Sequence, residues 1–411
     1  MMKLDNISPT VCLSKWMKPS IRLERGISSM CHHTRNLHFG PDSAEEIKID
    51  SHALVNNKRL LRERQDMLLG KRPKGCNYCW DMEDRGEVSD RIVTSKKWED
   101  RAKDITKTPW TIPEEIEVSF DNTCNLKCIY CNPLFSSKWA EEYRKFGDFG
   151  ETNNLTPHSK LMGNWENFDS TPYVKAFWEW LPEIINEVKR IRVTGGEPLL
   201  SKNTFRLIDY VNKKNPKIVI AINSNFCVPE KNFIRFLNKI KNIEKVVLFL
   251  SIESHGKKAE YARYGLDYNK FLKNIDIVLS DTKNTILVPM MTLNALSVCS
   301  LKEFWEDWNN RIDKWGSSRI KQPDTTNYLS GPRVLDARIL PNDFLNKYSY
   351  IENAPPTLFK RFFDRSTNET FVEARKGFVS YINEIDKRRG TSFGKIFPEL
   401  NELKEKWNGY S

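Results

Sequence analysis

The strongest constraint on the fold of this 411-residue chain is an alternation of apolar, β-branched runs with amphipathic stretches, from about Ile116 onward. The predicted strands are Ile116–Phe120, Arg190–Thr194, Lys217–Asn223, Lys245–Ile252 and Thr285–Leu293. The predicted helices among them are Tyr173–Lys189, Asn203–Lys213, Glu230–Lys241 and Lys270–Leu279. Strands that alternate with helices predict an α/β fold with a parallel sheet, here a partial (β/α)6 barrel with chemistry at the carboxyl ends of its strands.

Residues 1–110, 111–340 and 341–411 differ in pattern and predict three domains. The first has a short strand-like piece at Ile21–Leu23 and a charged helix near Asn57–Leu69, which is typical of a small α+β domain. The second contains the barrel, and the third is a mainly helical extension that we expect to pack against it. Gly147–Thr171 is rich in Asn, Thr, Gly and Ser and predicts a long loop, either a lid or an insertion.

Composition indicates a globular protein without a membrane span. With 39% hydrophobic and 11% aromatic residues, the chain can bury a large core. Its longest apolar runs, such as Val246–Leu250, have the length of strands rather than of transmembrane helices. Met1–Thr10 lacks the apolar region of a secretion signal, so we expect a cytoplasmic protein.

The formal net charge of +11 can indicate an anionic partner. The basic residues are spread along the chain, however, as in Lys71–Lys74 and Lys387–Arg389, which favours solvated surfaces over a nucleic-acid groove. An acidic substrate or an acidic partner protein fits the charge equally well. We therefore expect neither nucleic acid nor a membrane among the partners.

Three closely spaced cysteines, Cys124, Cys128 and Cys131, follow the first predicted strand of the barrel. Nine cysteines in a cytoplasmic chain are more typical of metal or catalytic sites than of disulfides. Three thiolates this close can bind three irons of a 4Fe–4S cluster and leave the fourth iron open for a chelating ligand. The alternative is structural zinc, which prefers four protein ligands, and the histidine closest in sequence is His158.

The next predicted strand leads into the segment Val193-Thr-Gly-Gly-Glu-Pro198. Two adjacent glycines let a backbone approach a ligand closely, and proline ends a strand. Such a segment alone indicates only a turn. Its position one strand–helix unit after the cysteines makes it part of the same predicted edge of the sheet.

Polar residues follow the later predicted strands as well. They are Asn223, Asn225, Ser251, Glu253 and Asn294, with Arg263 in the helix after the fourth strand. Each alone is explained as a helix cap or a surface charge. Their joint placement at successive strand ends favours a common site.

The cysteine loop and the Gly-Gly-Glu segment resemble the signature of the radical S-adenosylmethionine (SAM) superfamily, and the chain is identified as a member. The resemblance implies that Cys124, Cys128 and Cys131 hold a 4Fe–4S cluster whose open iron binds the amino and carboxylate groups of SAM. It assigns further contacts with SAM as follows: backbone at Gly195, Gly196 and Glu197 to the amino group, Asn223 and Asn225 to the ribose, Arg263 to the carboxylate, Asn294 to the nucleoside, and Tyr130 to the adenine. Ser251 and Glu253, at the end of the fourth strand, belong to the same SAM site.

A second set of cysteines, Cys12, Cys31, Cys76 and Cys79, lies in the first fifth of the chain. Four ligands complete the shell of an auxiliary 4Fe–4S cluster or, as the alternative, of a structural zinc ion. A histidine in place of one thiolate would raise the potential of such a cluster, and His32, His33 and His38 are the candidates.

The residues around these four cysteines resemble an N-terminal auxiliary-cluster module of radical SAM proteins called twitch-domain-containing. The resemblance continues through Arg338–Pro341 and the tail Asp386–Leu400, so it spans most of the chain. The better-known modules of this kind follow the barrel, whereas this one precedes it. We favour four cysteine ligands over replacement by histidine.

The resemblance implies reductive cleavage of SAM to a 5′-deoxyadenosyl radical, which abstracts hydrogen from a peptide or small-molecule substrate. A fully ligated auxiliary cluster would serve electron transfer, with a flavodoxin- or ferredoxin-type protein as the electron donor. Cys227 is a candidate to return a hydrogen atom to a substrate radical, and its alternative role is that of a small buried hydrophobe. The alternative functions are a carbohydrate or nucleoside dehydrogenase or epimerase and, from another class, a non-catalytic zinc protein that contacts nucleic acid.

Overall fold

The structure is a computed structural model. It describes residues 7–31, 33, 41–149, 171–324, 328–329, 331–348, 351 and 370–409. The chain divides into two units. The first comprises Met1–Asp121, Asn164–Ile222 and Asn242–Lys245, and the second comprises Asn122–Gly163, Asn223–Lys241 and Val246–Ser411.

The strands of the described residues follow the predicted alternation. They are β1 (Ser20–Arg22), β2 (Ile27–Ser29), β3 (Glu115–Ser119), β4 (Lys127–Cys128), β5 (Arg190–Thr194), β6 (Val219–Ser224), β7 (Val246–Ser251), β8 (Arg263–Tyr264) and β9 (Thr285–Met290). The five predicted strands correspond to β3, β5, β6, β7 and β9. β3 pairs with β5, β5 with β6, and β7 with β9, each time in parallel. The predicted α/β fold with a parallel sheet is therefore confirmed.

Helices lie between these strands and make up the C-terminal region. They are α1 (Ser14–Met17), α2 (Pro41–Ile49), α3 (Ala53–Asn56), α4 (Lys58–Leu68), α5 (Asn77–Asp84), α6 (Asp90–Ser95), α7 (Ala102–Ile105), α8 (Ser137–Phe146), α9 (Pro172–Ile184), α10 (Lys202–Lys214), α11 (Glu230–Ile240), α12 (Gly256–Ala262), α13 (Tyr268–Asp281), α14 (Leu301–Trp315), α15 (Asn342–Tyr348), α16 (Thr370–Arg389), α17 (Phe393–Ile396) and α18 (Pro398–Asn408). The predicted helical character of the C-terminal region is confirmed.

Short polar side chains determine where several helices begin. Thr171 Oγ1 accepts a hydrogen bond from the backbone of α9, and Pro172 occupies the first position of that helix, where no intrahelical donor is needed. Ser136 caps α8 and Asp267 caps α13 in the same way. Most of the predicted loop Gly147–Thr171, residues 150–170, lies outside the described residues.

In the first unit, the strand order is β2, β1, β3, β5, β6. β1 is antiparallel to β2 and parallel to β3, with Ile21 opposite Val118. The N-terminal region therefore adds two strands to the sheet that β3 and β5 continue. The division at residue 110 stays a prediction.

In the second unit, β7 and β9 pair in parallel, with Leu248 opposite Leu287. The short strands β4 and β8 form an antiparallel pair in which Cys128 lies opposite Arg263. Among the helices formed by the described residues, none is both long enough and apolar enough to cross a membrane.

A separate apolar core organises the N-terminal region. It is made by the buried residues Val11, Cys12, Leu13, Trp16, Met17, Met67, Trp80, Trp98 and Ala102. Trp16 is fully buried and donates its indole N–H to the carbonyl of Thr108 at 2.8 Å. One cysteine of the N-terminal set, Cys12, is a member of this core, and Cys76 packs against it.

Glu24 is a buried carboxylate that no sequence motif marks. It follows β1 by two residues, and only 8% of its surface is exposed. Its Oε2 has no hydrogen-bond partner among the described residues. Burial raises the pKa of Glu24 to about 7, although Arg22 and Arg25 oppose this shift. The folded chain therefore holds the proton of this carboxyl more tightly than the unfolded chain does.

Replacement of Glu24 by Gln should make the metal-free protein more stable at pH 8 but not at pH 4. The pKa of Glu24 is raised on folding, so its contribution to stability is present below its ordinary pKa of 4.5 and is lost as the pH rises towards about 7. The variant should gain about 3 kcal/mol relative to wild type over that range. Urea unfolding at several pH values measures the difference, with exposed Glu179→Gln as the control. A difference independent of pH would contradict the buried, protonated carboxyl.

Candidate functional site

The three clustered cysteines lie on the loop that precedes α8, and backbone hydrogen bonds shape that loop. The Cys131 N–H donates to the carbonyl of Cys128 at 2.9 Å. The Cys124 N–H donates to Ser137 Oγ at 3.1 Å, and Cys124 Sγ accepts from the Leu126 N–H at 3.5 Å. The structure thus gathers the three predicted ligands on one short loop.

The charge state of these thiols depends on their neighbours. Burial raises the pKa of Cys131, and the thiols of Cys128 and Cys124 raise it further. Because thiols must lose their protons to bind metal, three such groups need positive charge nearby. Arg263 supplies part of it, with Nη1 at 3.6 Å from Cys128 Sγ. This donor set fits a cluster with three protein ligands.

Arg263 belongs to a buried network with two other predicted residues. It follows α12 directly instead of lying in the helix, and it pairs with Glu253. The Tyr130 hydroxyl donates to Glu253 Oε1 at 2.9 Å. Burial opposes the charge on Arg263, but Glu253 more than offsets it and raises the pKa of Arg263. Arg263 Nε has no partner among the described residues, so this cation keeps an unused donor.

Asn225 joins the turn after β6 to the cysteine loop. Its Nδ2 donates to Asn125 Oδ1 at 2.9 Å, and its Oδ1 accepts from the Cys227 N–H at 2.9 Å. Asn125 Nδ2 in turn donates to the Cys227 carbonyl at 2.9 Å. Between them, Phe226 has a φ of 56°, a left-handed conformation that costs roughly 1–2 kcal/mol. The two amides hold this strained turn against the loop.

The thiol of Cys227 is buried and bound to backbone. Its Sγ accepts from the Asp267 N–H at 3.4 Å and donates to the Asp267 carbonyl at 3.6 Å. This packing favours the small buried hydrophobe over the hydrogen donor. The catalytic role of Cys227 stays a prediction.

The other predicted contacts with the nucleoside lie at the ends of their strands. Asn223 Nδ2 lies 3.0 Å from Met290 Sδ, and Ser251 is the half-buried last residue of β7. Asn294 is fully buried, and its amide donates to the Thr292 carbonyl at 2.8 Å and accepts from the Leu296 N–H at 2.9 Å. The side-chain bonds of Asn294 are local, so its contact with a nucleoside stays a prediction.

The Gly-Gly-Glu segment packs against the end of β3. Gly195 has a φ of 123°, and a Cβ there would lie 2.7 Å from both the Asp121 carbonyl and Ser119 Oγ. The Gly196 N–H donates to the Asp121 carbonyl at 3.1 Å, and Glu197 Oε1 accepts from the Leu199 N–H at 3.1 Å. Glycine is therefore required at position 195 by packing within the protein itself.

The C-terminal helix α16 supports the cysteine loop, which the sequence pattern did not predict. The Tyr381 hydroxyl donates to the Ile129 carbonyl at 2.5 Å. Arg389 is fully buried at its side chain and pairs with Glu142 of α8. The interpretation of Lys387–Arg389 as a solvated face is wrong for two of its members, because the side chains of Arg388 and Arg389 are 2% and 0% exposed.

The N-terminal cysteines meet in one pocket of the first unit. Cys12, Cys31, Cys76 and Cys79 line about 310 Å³ of empty space, part of it open to solvent. Burial raises the pKa of Cys12 to about 12 and that of Cys76 to about 11. Lys15 and Arg91 also line the pocket. Four thiols with two cations beside them fit a fully ligated cluster.

His33 also lines this pocket, and its Nε2 bonds to Asp90 Oδ2 at 2.8 Å. The other two histidine candidates, His32 and His38, lie outside the described residues. Across the part of the chain that the structure describes, no three His, Cys, Asp or Glu side chains converge tightly enough to bind a single metal ion.

Curated relatives of the chain are GTP 3′,8-cyclases, which are radical SAM enzymes. The protein from Nautilia profundicola is 21% identical over 292 residues, which cover 69% of this chain and 80% of the relative. The protein from Clostridium botulinum is 23% identical over 303 residues, which cover 71% and 82%. The chain belongs to the radical SAM superfamily. No protein-family profile matches it.

Solved structures give weaker similarities. Streptococcus suis SuiB bound to its precursor peptide SuiA is 15% identical, with a TM-score of 0.34 over 74% of this chain and 61% of SuiB. The enzyme anSMEcpe with bound AdoMet is also 15% identical, with a TM-score of 0.34 over 67% of this chain and 62% of that protein. The chain thus spans less than two thirds of either protein.

Superfamily membership makes this radical SAM protein an enzyme that uses a 4Fe–4S cluster and SAM. The competing interpretation, a non-catalytic zinc protein, is therefore wrong for the chain as a whole. The identity of each ligand and the nature of the second cysteine site remain predictions.

Gly195→Ala should destabilise the metal-free protein by roughly 2–4 kcal/mol. A Cβ at this position meets the Asp121 carbonyl, and the backbone angle is one that L-residues rarely adopt. The matched control is Gly86→Ala, where φ is 77° and no atom lies within 4 Å of the added Cβ. Its cost should be only about 1 kcal/mol. Equal losses in urea unfolding would contradict the packing argument.

Tyr381→Phe should lower stability by about 1–3 kcal/mol, since it leaves the Ile129 carbonyl without its donor. The reconstituted variant should also lose iron faster to a chelator, because that carbonyl lies in the loop of Cys128 and Cys131. Iron release followed by absorbance tests this, with half-buried Tyr210→Phe on α10 as the control. Identical release from both variants would show that α16 does not support the loop.

Proposed function

We propose that Cys124, Cys128 and Cys131 hold the 4Fe–4S cluster at which this enzyme cleaves SAM. The observation that carries the proposal is the gathering of three thiols on one loop, with the Arg263 guanidinium beside Cys128. When bound, the cluster and SAM supply a 5′-deoxyadenosyl radical that abstracts hydrogen from the substrate. The residues of the chain bind, orient and shield these groups.

Arg263 binds the carboxylate of SAM in this proposal. Its charge is secured by Glu253, and its Nε donor has no partner among the described residues, so an anionic group can be received without breaking the Arg263–Glu253 pair. Tyr130 holds Glu253 in place through its hydroxyl. Glu253 and Tyr130 therefore act on SAM through Arg263.

The backbone of Gly195, Gly196 and Glu197 receives the amino group of SAM in this proposal. The tight contact of Gly195 with the end of β3 fixes the path of that backbone. In the same proposal, Asn223 lies beside the ribose of SAM and Ser251 lies on the side of its carboxylate. Asn294 orders the loop after β9 through its local hydrogen bonds. Asn225 positions the cysteine loop through Asn125 and contacts the ribose in this proposal.

Cys12, Cys31, Cys76 and Cys79 hold an auxiliary 4Fe–4S cluster in the proposal, as in a twitch-like module. Support comes from the four cysteines lining one pocket, in which Cys12 and Cys79 are buried and Cys31 and Cys76 are half-buried. A cluster with four protein ligands leaves no iron open, so it transfers electrons and does not bind substrate. An acidic flavodoxin- or ferredoxin-type donor suits the net charge of +11.

The substrate is a peptide or a small molecule in our proposal. The precursor peptide bound by SuiB is in line with the first class, although that similarity is too low to support it. The second candidate is a carbohydrate or nucleoside, and the curated relatives are named for a reaction of the nucleotide GTP. At 21–23% identity these names do not decide between the two.

Removal of each cysteine set should separate the two clusters. The reconstituted wild type should hold about eight irons, and either Cys124→Ala/Cys128→Ala/Cys131→Ala or the change of all four N-terminal cysteines to Ala should leave about four. With SAM and dithionite under anaerobic conditions, only the first variant should fail to form 5′-deoxyadenosine. Iron analysis and chromatography of the products measure both results.

Formation of 5′-deoxyadenosine by the triple variant would refute the cluster assignment. Zinc in place of iron at the four N-terminal cysteines would refute the auxiliary cluster alone. The two variants serve as controls for each other, because each retains one complete set of ligands.

A further inference from the structure

Lys15 is a buried cation in the wall of the auxiliary pocket. It lies on α1, three residues after Cys12, and only 1% of its surface is exposed. Its ammonium forms an ion pair with Glu63, and Lys15 lines the same pocket as Cys76. An ammonium is costly to bury unless it is paired, so this position is stable only with its partners.

Glu63 holds Lys15 from the side away from the pocket. Glu63 Oε1 accepts from Arg59 Nη1 at 2.9 Å, while its other oxygen pairs with Lys15. Glu63 is not among the residues that line the pocket, whereas Lys15 is. The ammonium of Lys15 is therefore nearer to the four cysteines than the carboxylate of Glu63 is.

Arg91 provides a second cation with the same arrangement. It lines the pocket, its side chain is 6% exposed, and it pairs at 2.7 Å with Glu83, which does not line the pocket. Arg91 Nη1 also donates to the Val11 carbonyl at 2.8 Å, so its loss would disturb the backbone beside Cys12. Lys15 is the better residue to test, because the partner of its ammonium is a side chain, that of Glu63.

The placement of these charges bears on electron transfer. A cluster held by four thiolates becomes more negative when it accepts an electron, and a nearby buried cation stabilises that form more than the oxidised one. Hydrogen bonds to the ligating sulfurs act in the same direction. The carboxylate of Glu63 disfavours reduction of the cluster. Its effect is weaker than that of Lys15, because Glu63 lies farther from the four cysteines.

We propose that Lys15 is a positioning residue that sets the reduction potential of the auxiliary cluster, through a buried ammonium that Glu63 holds in the wall of the pocket. This inference rests on the proposed cluster at Cys12, Cys31, Cys76 and Cys79. It predicts opposite effects from two neutralising changes. Loss of the lysine charge disfavours reduction, and loss of the glutamate charge favours it.

The test is a redox titration of the reconstituted full-length chain, followed by electron paramagnetic resonance. The background is Cys124→Ala/Cys128→Ala/Cys131→Ala, so that only the auxiliary cluster gives a signal. Lys15→Met should shift the midpoint potential to more negative values, Glu63→Gln to more positive values, and Lys15→Arg only slightly. Lys18→Met, which removes a nearby lysine that does not line the pocket, should leave the potential unchanged.

The outcomes separate this inference from the auxiliary cluster itself. Zinc, or no iron, at the four cysteines would overturn both. A cluster whose potential is the same in Lys15→Met and Glu63→Gln as in the background would overturn only the role of Lys15. If Lys15→Met fails to keep its cluster, Glu63→Gln still decides, because a positive shift supports the role and no shift refutes it.

Discussion

Burial of thiols beside cations is the constraint on which both cysteine sites depend. Burial, together with the neighbouring thiols of Cys31 and Cys76, raises the pKa of Cys12 to about 12, which keeps a thiol protonated and unable to bind iron. Each site therefore has buried cations near its thiols, Lys15 and Arg91 at one and Arg263 and Arg389 at the other. Each of these cations forms an ion pair with a glutamate, so positive and negative side chains alternate around both sites.

Much of the remaining structure positions these charges. Arg389 is the last residue of α16, and its partner Glu142 lies on α8, directly after the cysteine loop. Glu253 follows β7 and reaches both Arg263 and Tyr130. The helical C-terminal region thus contributes to the surroundings of the candidate cluster site in the second unit.

The strands were predictable from their β-branched apolar residues. Arg190–Thr194 agrees with β5 at both ends, where buried Ile191 and Val193 alternate with half-buried residues. The run that predicted a strand to Leu293 was wrong at its end. β9 stops at Met290, and beyond it the described residues show one isolated bridge, between Leu293 and Tyr328. The apolar character of a segment does not show where the neighbouring strand ends and can no longer pair with it.

The grouping of Cys124, Cys128 and Cys131 was predictable because their spacing is local, whereas the residues that surround a candidate site come from distant parts of the sequence. Lys15 and Glu63 are 48 positions apart, and Arg389 and Glu142 are 247 apart. No local pattern shows that such residues pair. A basic run therefore looks the same in sequence whether it is exposed, as Lys387 is, or buried, as Arg389 is.

The pairing of β1 with β3 has a consequence for any attempt to isolate the catalytic part of this chain. β1 lies along one side of β3, with Ser20, Ile21 and Arg22 opposite Glu117, Val118 and Ser119. A shortened protein that begins near residue 110 would present β3 as a bare sheet edge, with unmet backbone donors and acceptors that invite association with other copies. By covering this edge of β3, the N-terminal segment protects the chain from aggregation, whether or not it binds a metal.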